Sequence, residues 1–291
     1  MEGVVNTPRA LGWFGDNARP DFTREIPKKI WAYWNSDSLP DTVNACIGSW
    51  KEKNPDHEVN IVTPSSIDSF LGLLPEGFFR NTPQRQADWV RLALLNKYGG
   101  IWLDATIIAF KSFAYIHKTQ SIHGGELVGY FLRGKTTNAA YPLIENWFLA
   151  APAGTKFIND WLNEFEKSMI QGADNYIKSL TEYNIDHLRQ GLQHPNYFSM
   201  HVAAQVLMRR SNQYVLTLIP AENDAYNIPC KLAWDVDRIV SFMTQNDNPT
   251  LDCNIFKMVG RVWKPLSEKI ISGAVNPDSL IGKMISSSKV R

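Results

Sequence analysis

Cysteine and histidine are sparse in this sequence, and their spacing fits neither a disulfide framework nor a zinc site. The 291 residues include three cysteines, Cys46, Cys230 and Cys253, with no CxxC pair, and six histidines without an HxxxH spacing. Small secreted domains rely on dense disulfides, and structural zinc sites need closely spaced ligands. We therefore expect neither feature, and a reducing intracellular setting fits best.

The sequence also lacks an excess of charge and a long apolar run. Lysine and arginine number 30, against 29 aspartate and glutamate residues, so no long-range field draws the chain to nucleic acid. The first thirty residues contain no signal-peptide core, and no apolar segment reaches membrane length. We expect a soluble, cytoplasmic protein with no nucleic-acid partner and no transmembrane segment.

Several common catalytic motifs are missing as well. The sequence has no GxGxxG fingerprint, no P-loop and no GxSxG elbow, which argues against dinucleotide oxidoreductases, P-loop kinases and hydrolases of that type. Tryptophan, in contrast, is abundant, with ten residues. Most of these rings are expected in the core, but aromatic rings at the edge of a site are typical of proteins that stack on sugars and bases.

Strand and helix patterns alternate along the chain. Residues 28–34 and 58–62 predict strands, and residues 41–53 between them carry an apolar stripe that predicts a helix. Residues 155–170 and 199–210 predict further helices, whereas residues 223–237 predict a loop. This order is typical of an α/β fold, and we expect a mostly parallel, twisted central sheet flanked by helices.

The clearest helix signals lie between residues 81 and 100. Asn81 or Thr82 can cap the helix, Pro83 suits its first position and Gly99 suits its C-terminal end. A short apolar strand, residues 101–103, follows and ends at Asp104. The helix and the strand therefore lead directly to an acidic side chain.

Asp88 and Arg91 form a candidate site together with Asp104. Asp88 and Arg91 are three residues apart on the predicted helix, so they face the same way. In open α/β sheets the ligand crevice lies outside the carboxyl ends of the strands, where Asp104 is expected. The alternative is an ordinary surface ion pair, and the pattern alone leaves both interpretations open.

Residues 87–92 (ADWVRL) and 97–106 (KYGGIWLDAT) resemble the sugar-donor motif of glycosyltransferase family 32, the capsular polysaccharide synthesis proteins and the large clostridial glucosylating toxins. Residues 26–34 (IPKKIWAYW) resemble the first strand of these enzymes. Residues 146–152 (NWFLAAP) and 195–201 (PNYFSMH) resemble capsular-synthesis segments. The resemblance covers residues 26 to 210.

This resemblance implies a GT-A-like fold and a glycosyltransferase that uses a nucleoside-diphosphate sugar of the UDP or GDP type. By analogy Trp34 stacks on the base, Asp88 and Arg91 hold hydroxyls of the donor sugar, and Asp104 serves the ribose and a metal. It also implies a glycan acceptor, retention of configuration, and polysaccharide or surface-glycan synthesis. A lipid-linked acceptor would place the protein peripherally at a membrane.

The metal is where this sequence departs from the family pattern. The usual DxD motif reads Asp-Ala-Thr at residues 104–106, so one metal-binding carboxylate is missing. A leaving diphosphate needs a cation. Either Asp104 holds Mg²⁺ or Mn²⁺ with water and a distant Asp224, Asp252 or Asn254, or basic side chains replace the metal. We expect the divalent metal, because hard cations bridge phosphates well.

The expected organisation is an irregular N-terminal extension (1–25), a single catalytic domain (26–280) and a mobile tail (281–291). Within the domain, residues 26–151 form the nucleotide-sugar half, and residues 152–280 form a partly helical acceptor half. Two rival functions remain open. One is a nucleotide-sugar hydrolase or degenerate transferase, and the other is a non-catalytic carbohydrate-binding protein that uses exposed aromatic rings.

Overall fold

The computed structural model describes residues 11–14, 19–211, 213–247 and 249–289. Most of the extension expected to be irregular, residues 1–10 and 15–18, lies outside this range, as do the last two residues of the expected tail. Between those stretches, residues Leu11–Phe14 form a strand, so the extension is not irregular throughout.

A seven-stranded sheet forms the centre of the protein, in the order β1-β8-β6-β7-β4-β2-β3. Its strands are β1 Leu11–Phe14, β2 Lys29–Tyr33, β3 Glu58–Val62, β4 Gly100–Leu103, β6 Leu127–Phe131, β7 Ile144–Ala151 and β8 Val215–Pro220. Strands β2, β3, β4, β6 and β8 share one direction, whereas β1 and β7 run the opposite way. The predicted α/β class with a mostly parallel central sheet is confirmed, with β7 as an antiparallel insertion.

Twelve α-helices surround the sheet within the described ranges. They are α1 Asp41–Lys53, α2 Ile67–Leu71, α3 Pro83–Tyr98, α4 Ala114–His123, α5 Lys156–Gln171, α6 Ala173–Ser179, α7 Ile185–Arg189, α8 Ser199–Arg210, α9 Asn227–Lys231, α10 Val236–Gln245, α11 Gly260–Ile271 and α12 Leu280–Lys289. Two short 3-10 helices, Phe78–Arg80 and Ala221–Asn223, complete the set. The predicted bounds of α1, β3 and α8 agree with the structure.

The core lies on both faces of the sheet because side chains alternate along each strand. On β4, Trp102 faces the cluster that contains helices α3, α5 and α8, whereas Ile101 and Leu103 face the cluster that contains α1 and α4. Helix α5 packs against α3, which joins the two predicted halves of the domain. The boundary between those halves stays a prediction.

A third apolar cluster lies around a separate two-stranded sheet. Strand β5, Ile107–Ala109, pairs antiparallel with β9, Ile255–Lys257, and helices α10 to α12 cover this pair. The predicted loop at 223–237 is wrong in part, since it contains α9 and the first residues of α10. The expected tail is helical through Lys289, and the side chain of Ile281 is buried.

Within the described ranges, none of the helices combines the length and the apolar character that crossing a membrane requires.

Candidate active site

Helix α3 is capped by Thr82, one of the two caps that the sequence predicts, and it contains two of the candidate residues. Thr82 Oγ1 accepts a hydrogen bond from the backbone N–H of Arg85 at 3.4 Å, and Pro83 is the first helical residue. Asp88 and Arg91 lie near the middle of the helix, on its buried side. Their exposed fractions are only 1% and 3%, so these are not surface side chains.

Two glycines connect α3 to β4 where a side chain would not fit. Gly99 has a φ of 63°, and a Cβ atom there would lie 2.6 Å from the backbone nitrogen of Ala153. Gly100 has a φ of 108°, and its Cβ would lie 2.6 Å from the carbonyl oxygen of Lys29. The carbonyl of Gly99 also accepts a hydrogen bond from Trp31 Nε1 at 2.8 Å. This tight turn brings the end of β4 beside α3.

The turn places Asp88, Arg91 and Asp104 in one hydrogen-bonded network. Arg91 Nη1 donates to Asp88 Oδ1, and Arg91 Nη2 donates to Asp104 Oδ1 at 3.0 Å. Arg91 Nε, although buried, has no partner within the part of the chain that the structure describes. The three residues therefore come together as the sequence predicts, while their roles stay predictions.

Neighbouring side chains fix the two carboxylates. Asn146 Nδ2, on β7, donates to Asp88 Oδ1 at 3.0 Å, and Trp102 Nε1 donates to Asp104 Oδ1 at 3.2 Å. The guanidinium carbon of Arg91 lies 5.1 Å from the centroid of the Trp102 ring. The planar guanidinium of an arginine is pre-organised, so Arg91 loses little conformational freedom when it bridges the two carboxylates.

Lys257, which sequence reasoning missed, completes the network. It is the last residue of β9, and its Nζ lies 2.7 Å from Asp104 Oδ2 and 3.3 Å from Thr106 Oγ1. Asp104 thus has a cation on each carboxylate oxygen. No local pattern marks Lys257, since 153 residues separate it from Asp104.

The network sets the protonation of its acids. Burial opposes ionisation of Asp104, but the nearby charges of Lys257 and Arg91 bring its pKa below the usual value. Burial raises the pKa of Asp88, and the attraction of Arg91 offsets this only in part. Of the two acids, Asp104 is therefore the one whose ionised form the network favours.

An open cleft of about 470 Å³ leads to this network. Its walls include Trp34, Asn35, Ala87, Arg91, Trp102 and Asp104. Trp34 is half-buried, and its ring centroid lies 6.5 Å from that of Trp263 on α11. A lining that combines aromatic rings with paired charges suits a ligand that has an aromatic and a polar part.

The sequence predicts a divalent metal at Asp104, and the part of the chain that the structure describes gathers no cluster of metal-ligating side chains there. Among the described residues, no group of three or more His, Cys, Asp or Glu side chains could hold a metal ion. Asp224 is buried and accepts hydrogen bonds from Tyr130 Oη at 2.6 Å and Asn254 Nδ2 at 3.0 Å. Asp252 is exposed and pairs with Lys231 at 2.7 Å. These side chains already have other partners, so the residues present do not fit a directly coordinated divalent metal.

A sequence profile of the family "Capsular polysaccharide synthesis protein" matches residues 16–257. The chain belongs to this family. The match confirms the resemblance read from the motifs and extends beyond residue 210, as far as Lys257.

One curated relative and several solved structures are also similar. The O-glycosyltransferase braB of Annulohypoxylon truncatum is 29% identical over 167 residues, which span 51% of this chain and 39% of that protein. The chain therefore matches well under half of that relative's length. The PaToxG glycosyltransferase is 16% identical over 67% of this chain and 89% of its own, with a TM-score of 0.41. The galactosyltransferase LgtC is 10% identical over 85% and 96%, with a TM-score of 0.43. TM-scores in this range do not establish a shared fold.

Proposed function

We propose that this protein is a retaining glycosyltransferase. It moves a sugar from a nucleoside-diphosphate donor of the UDP or GDP type to a hydroxyl of a glycan, in polysaccharide or surface-glycan synthesis. The observation that carries the proposal is the network of Asp88, Arg91 and Asp104, of which Arg91 and Asp104 line the cleft. Membership of the capsular polysaccharide synthesis family supports it, as does the glycosyltransferase name of the curated relative.

The geometry of the cleft supports a role for each residue. Trp34 stacks on the nucleotide base in the cleft. Asp88 and Arg91 bind hydroxyls of the donor sugar. The buried carboxylate offers acceptors and the guanidinium offers donors, and both side chains are already oriented before the sugar binds. Asp104 positions Arg91 and accepts a hydrogen bond from a ribose hydroxyl. The GT-A-like fold is part of the same proposal, because these roles are the ones that the family resemblance implies for such a fold.

The reaction exchanges one bond for another. The oxygen of the acceptor hydroxyl bonds to the anomeric carbon, and the bond from that carbon to the diphosphate breaks. The electron pair of the broken bond goes to the phosphate oxygen, and the leaving diphosphate takes up the hydroxyl proton. The chemistry therefore depends on stabilising charge at the leaving group.

A thermal-shift panel tests the proposal. UDP, GDP and their sugars are added to the purified protein, because a ligand that binds only the native state raises Tm. One nucleoside diphosphate should stabilise the wild type, and its sugar conjugate should stabilise it further. Asp88→Asn should lose only the increment due to the sugar, whereas Asp252→Asn, a surface control, should keep both. If no nucleotide shifts Tm, the proposal fails.

A second candidate function is non-catalytic carbohydrate binding. Tyr197 is 58% exposed, and its ring packs edge-on against Phe198 at a centroid distance of 4.8 Å. The charges of Asp88 and Asp104 reach it, since after burial they are the causes that raise the pKa of its hydroxyl. Glycan binding without nucleotide, lost in Tyr197→Ala and kept in Asp88→Asn, would favour this candidate.

A further inference from the structure

We propose that the ammonium group of Lys257 replaces a divalent metal in this site, and that it binds the diphosphate of the donor. Donor binding is then independent of metal. This inference rests on the proposed function and names the cation that the function needs. Its starting point is the contact of Lys257 Nζ with Asp104 Oδ2 at 2.7 Å, in a motif that lacks the second carboxylate.

The fold holds Lys257 in place from both sides. Strand β9 pairs with β5, so that Lys257 lies opposite Ile107, three residues after Asp104. The backbone N–H of Lys257 donates to the carbonyl of Ala225 at 3.2 Å. At the start of β9, the backbone and side chain of Asn254 both donate to the buried carboxylate of Asp224. The backbone at Lys257 is therefore held by strand pairing and by buried contacts of the neighbouring residues.

The charges of the site favour an ammonium group over a metal ion. The side chain of Lys257 is only 12% exposed, so its charge needs an anionic partner that compensates for the free-energy cost of desolvation. A metal at Asp104 would lie close to this ammonium group and to the guanidinium of Arg91, which already occupy the two carboxylate oxygens, and the described residues gather no group of three metal-ligating side chains there. A diphosphate, in contrast, brings negative charge, which the two cations attract.

Lys257 can also serve the leaving group. A lysine ammonium group has three donors on a flexible stem, so it can turn from Asp104 toward a phosphate oxygen. When the bond between the anomeric carbon and the diphosphate breaks, the electron pair goes to that oxygen, and the ammonium charge stabilises it. Thr106 Oγ1 lies 3.3 Å from Nζ and accepts a hydrogen bond from the ammonium group during this movement.

Calorimetric titration with UDP and GDP tests the proposal, in EDTA and in Mn²⁺, on the wild type and three variants. The nucleotide that binds the wild type should bind equally well in EDTA and in Mn²⁺. Lys257→Met should weaken binding roughly 10- to 100-fold, the scale of one charge-assisted hydrogen bond. Lys257→Arg should retain most of the affinity. Lys231→Ala removes a lysine with an equally short ion pair, 2.7 Å, on the surface and should change nothing.

The outcomes separate this proposal from the proposed function. Binding that requires Mn²⁺, or wild-type affinity in Lys257→Met, would overturn the role of Lys257 and leave the glycosyltransferase proposal standing. No binding of either nucleotide in any condition would overturn both. If the Lys257 variants fail to fold, the comparison of EDTA with Mn²⁺ on the wild type still tests the proposal, because binding that requires Mn²⁺ would overturn it.

Discussion

Arg91 Nη2 lies 3.0 Å from Asp104 Oδ1, which ties the middle of helix α3 to the end of strand β4. The same guanidinium donates to the buried Asp88, so one arginine links the two acids, and Lys257 is the second cation on Asp104. A buried charge that loses its partner is costly. Stability and ligand binding are therefore coupled through this one side chain.

Replacing either member of the buried pair by alanine should destabilise the protein. We expect Arg91→Ala to lower the free energy of unfolding by about 3–5 kcal/mol, because it leaves the buried Asp88 without its ion-pair partner. Asp88→Ala should cost less, because Arg91 keeps its ion pair with Asp104. The double variant should cost less than the sum, with an interaction energy of about 0.5–3 kcal/mol. Urea unfolding of the four proteins measures this cycle. Single costs within about 0.5 kcal/mol would instead indicate an ordinary surface pair.

Trp34 should matter for the nucleotide and not for the sugar. Stacking on a base is worth about 1–3 kcal/mol, so Trp34→Ala should weaken binding of the free nucleoside diphosphate roughly 5- to 150-fold. Trp34→Phe keeps a ring and should recover much of the affinity. Calorimetric titration with the nucleotide alone makes the measurement. Unchanged affinity in Trp34→Ala would mean that the base lies elsewhere.

The sequence predicts the part of the site that local chemistry builds. Thr82, Pro83 and Gly99 mark the ends of α3, and Asp88, Arg91 and Asp104 lie within two adjoining elements. Local signals therefore suffice to bring these three side chains together.

Lys257 could not be found in this way. It reaches Asp104 through the pairing of β5 with β9, and the sequence contains no signal for a pairing between strands of three residues each. Helix α9 lacks a local signal for a similar reason. Helix α9 has only five residues and contains Pro229, so no periodic pattern develops. These elements depend on the tertiary packing around them.

The turn between α3 and β4 should tolerate no side chain. In Gly99→Ala the residue keeps a positive φ, which costs about 1–2 kcal/mol, and meets the backbone of Ala153, which adds about 1–3 kcal/mol. Gly72 has a similar φ of 68°, with nothing within 4 Å of the added Cβ. Gly72→Ala is therefore the matched control and should show only the first cost. Equal losses of unfolding free energy in the two variants would contradict the close approach at Gly99.

Stability should fall in mild acid because of a histidine pair. His57 Nε2 and His117 Nε2 lie 2.9 Å apart, so at least one ring must be neutral. Burial and then His57 and Lys28 lower the pKa of His117 from 6.5, against the opposing pull of Asp56 and Glu25. A lowered pKa in the folded state means that the unfolded chain binds the proton more readily. The contribution to stability is thus complete above pH 6.5 and is lost as the pH falls through the folded pKa.

Thermal unfolding between pH 8 and pH 5 checks this sign. The wild type should lose Tm below pH 6.5, and His117→Gln should show a flatter profile. His187 is exposed on α7, and His187→Gln should follow the wild type. A steeper loss in His117→Gln would reverse the assignment.

The most direct test of the central claim is turnover of a panel of nucleotide sugars, with and without glycan acceptors. Release of the nucleoside diphosphate is followed for the wild type and for Asp88→Asn. The wild type should release it from one donor, faster with a suitable acceptor, and Asp88→Asn should lose this activity while it still binds the nucleotide. Release at the same rate without any acceptor would indicate a hydrolase. No release from any donor, together with glycan binding in the absence of nucleotide, would contradict the glycosyltransferase account.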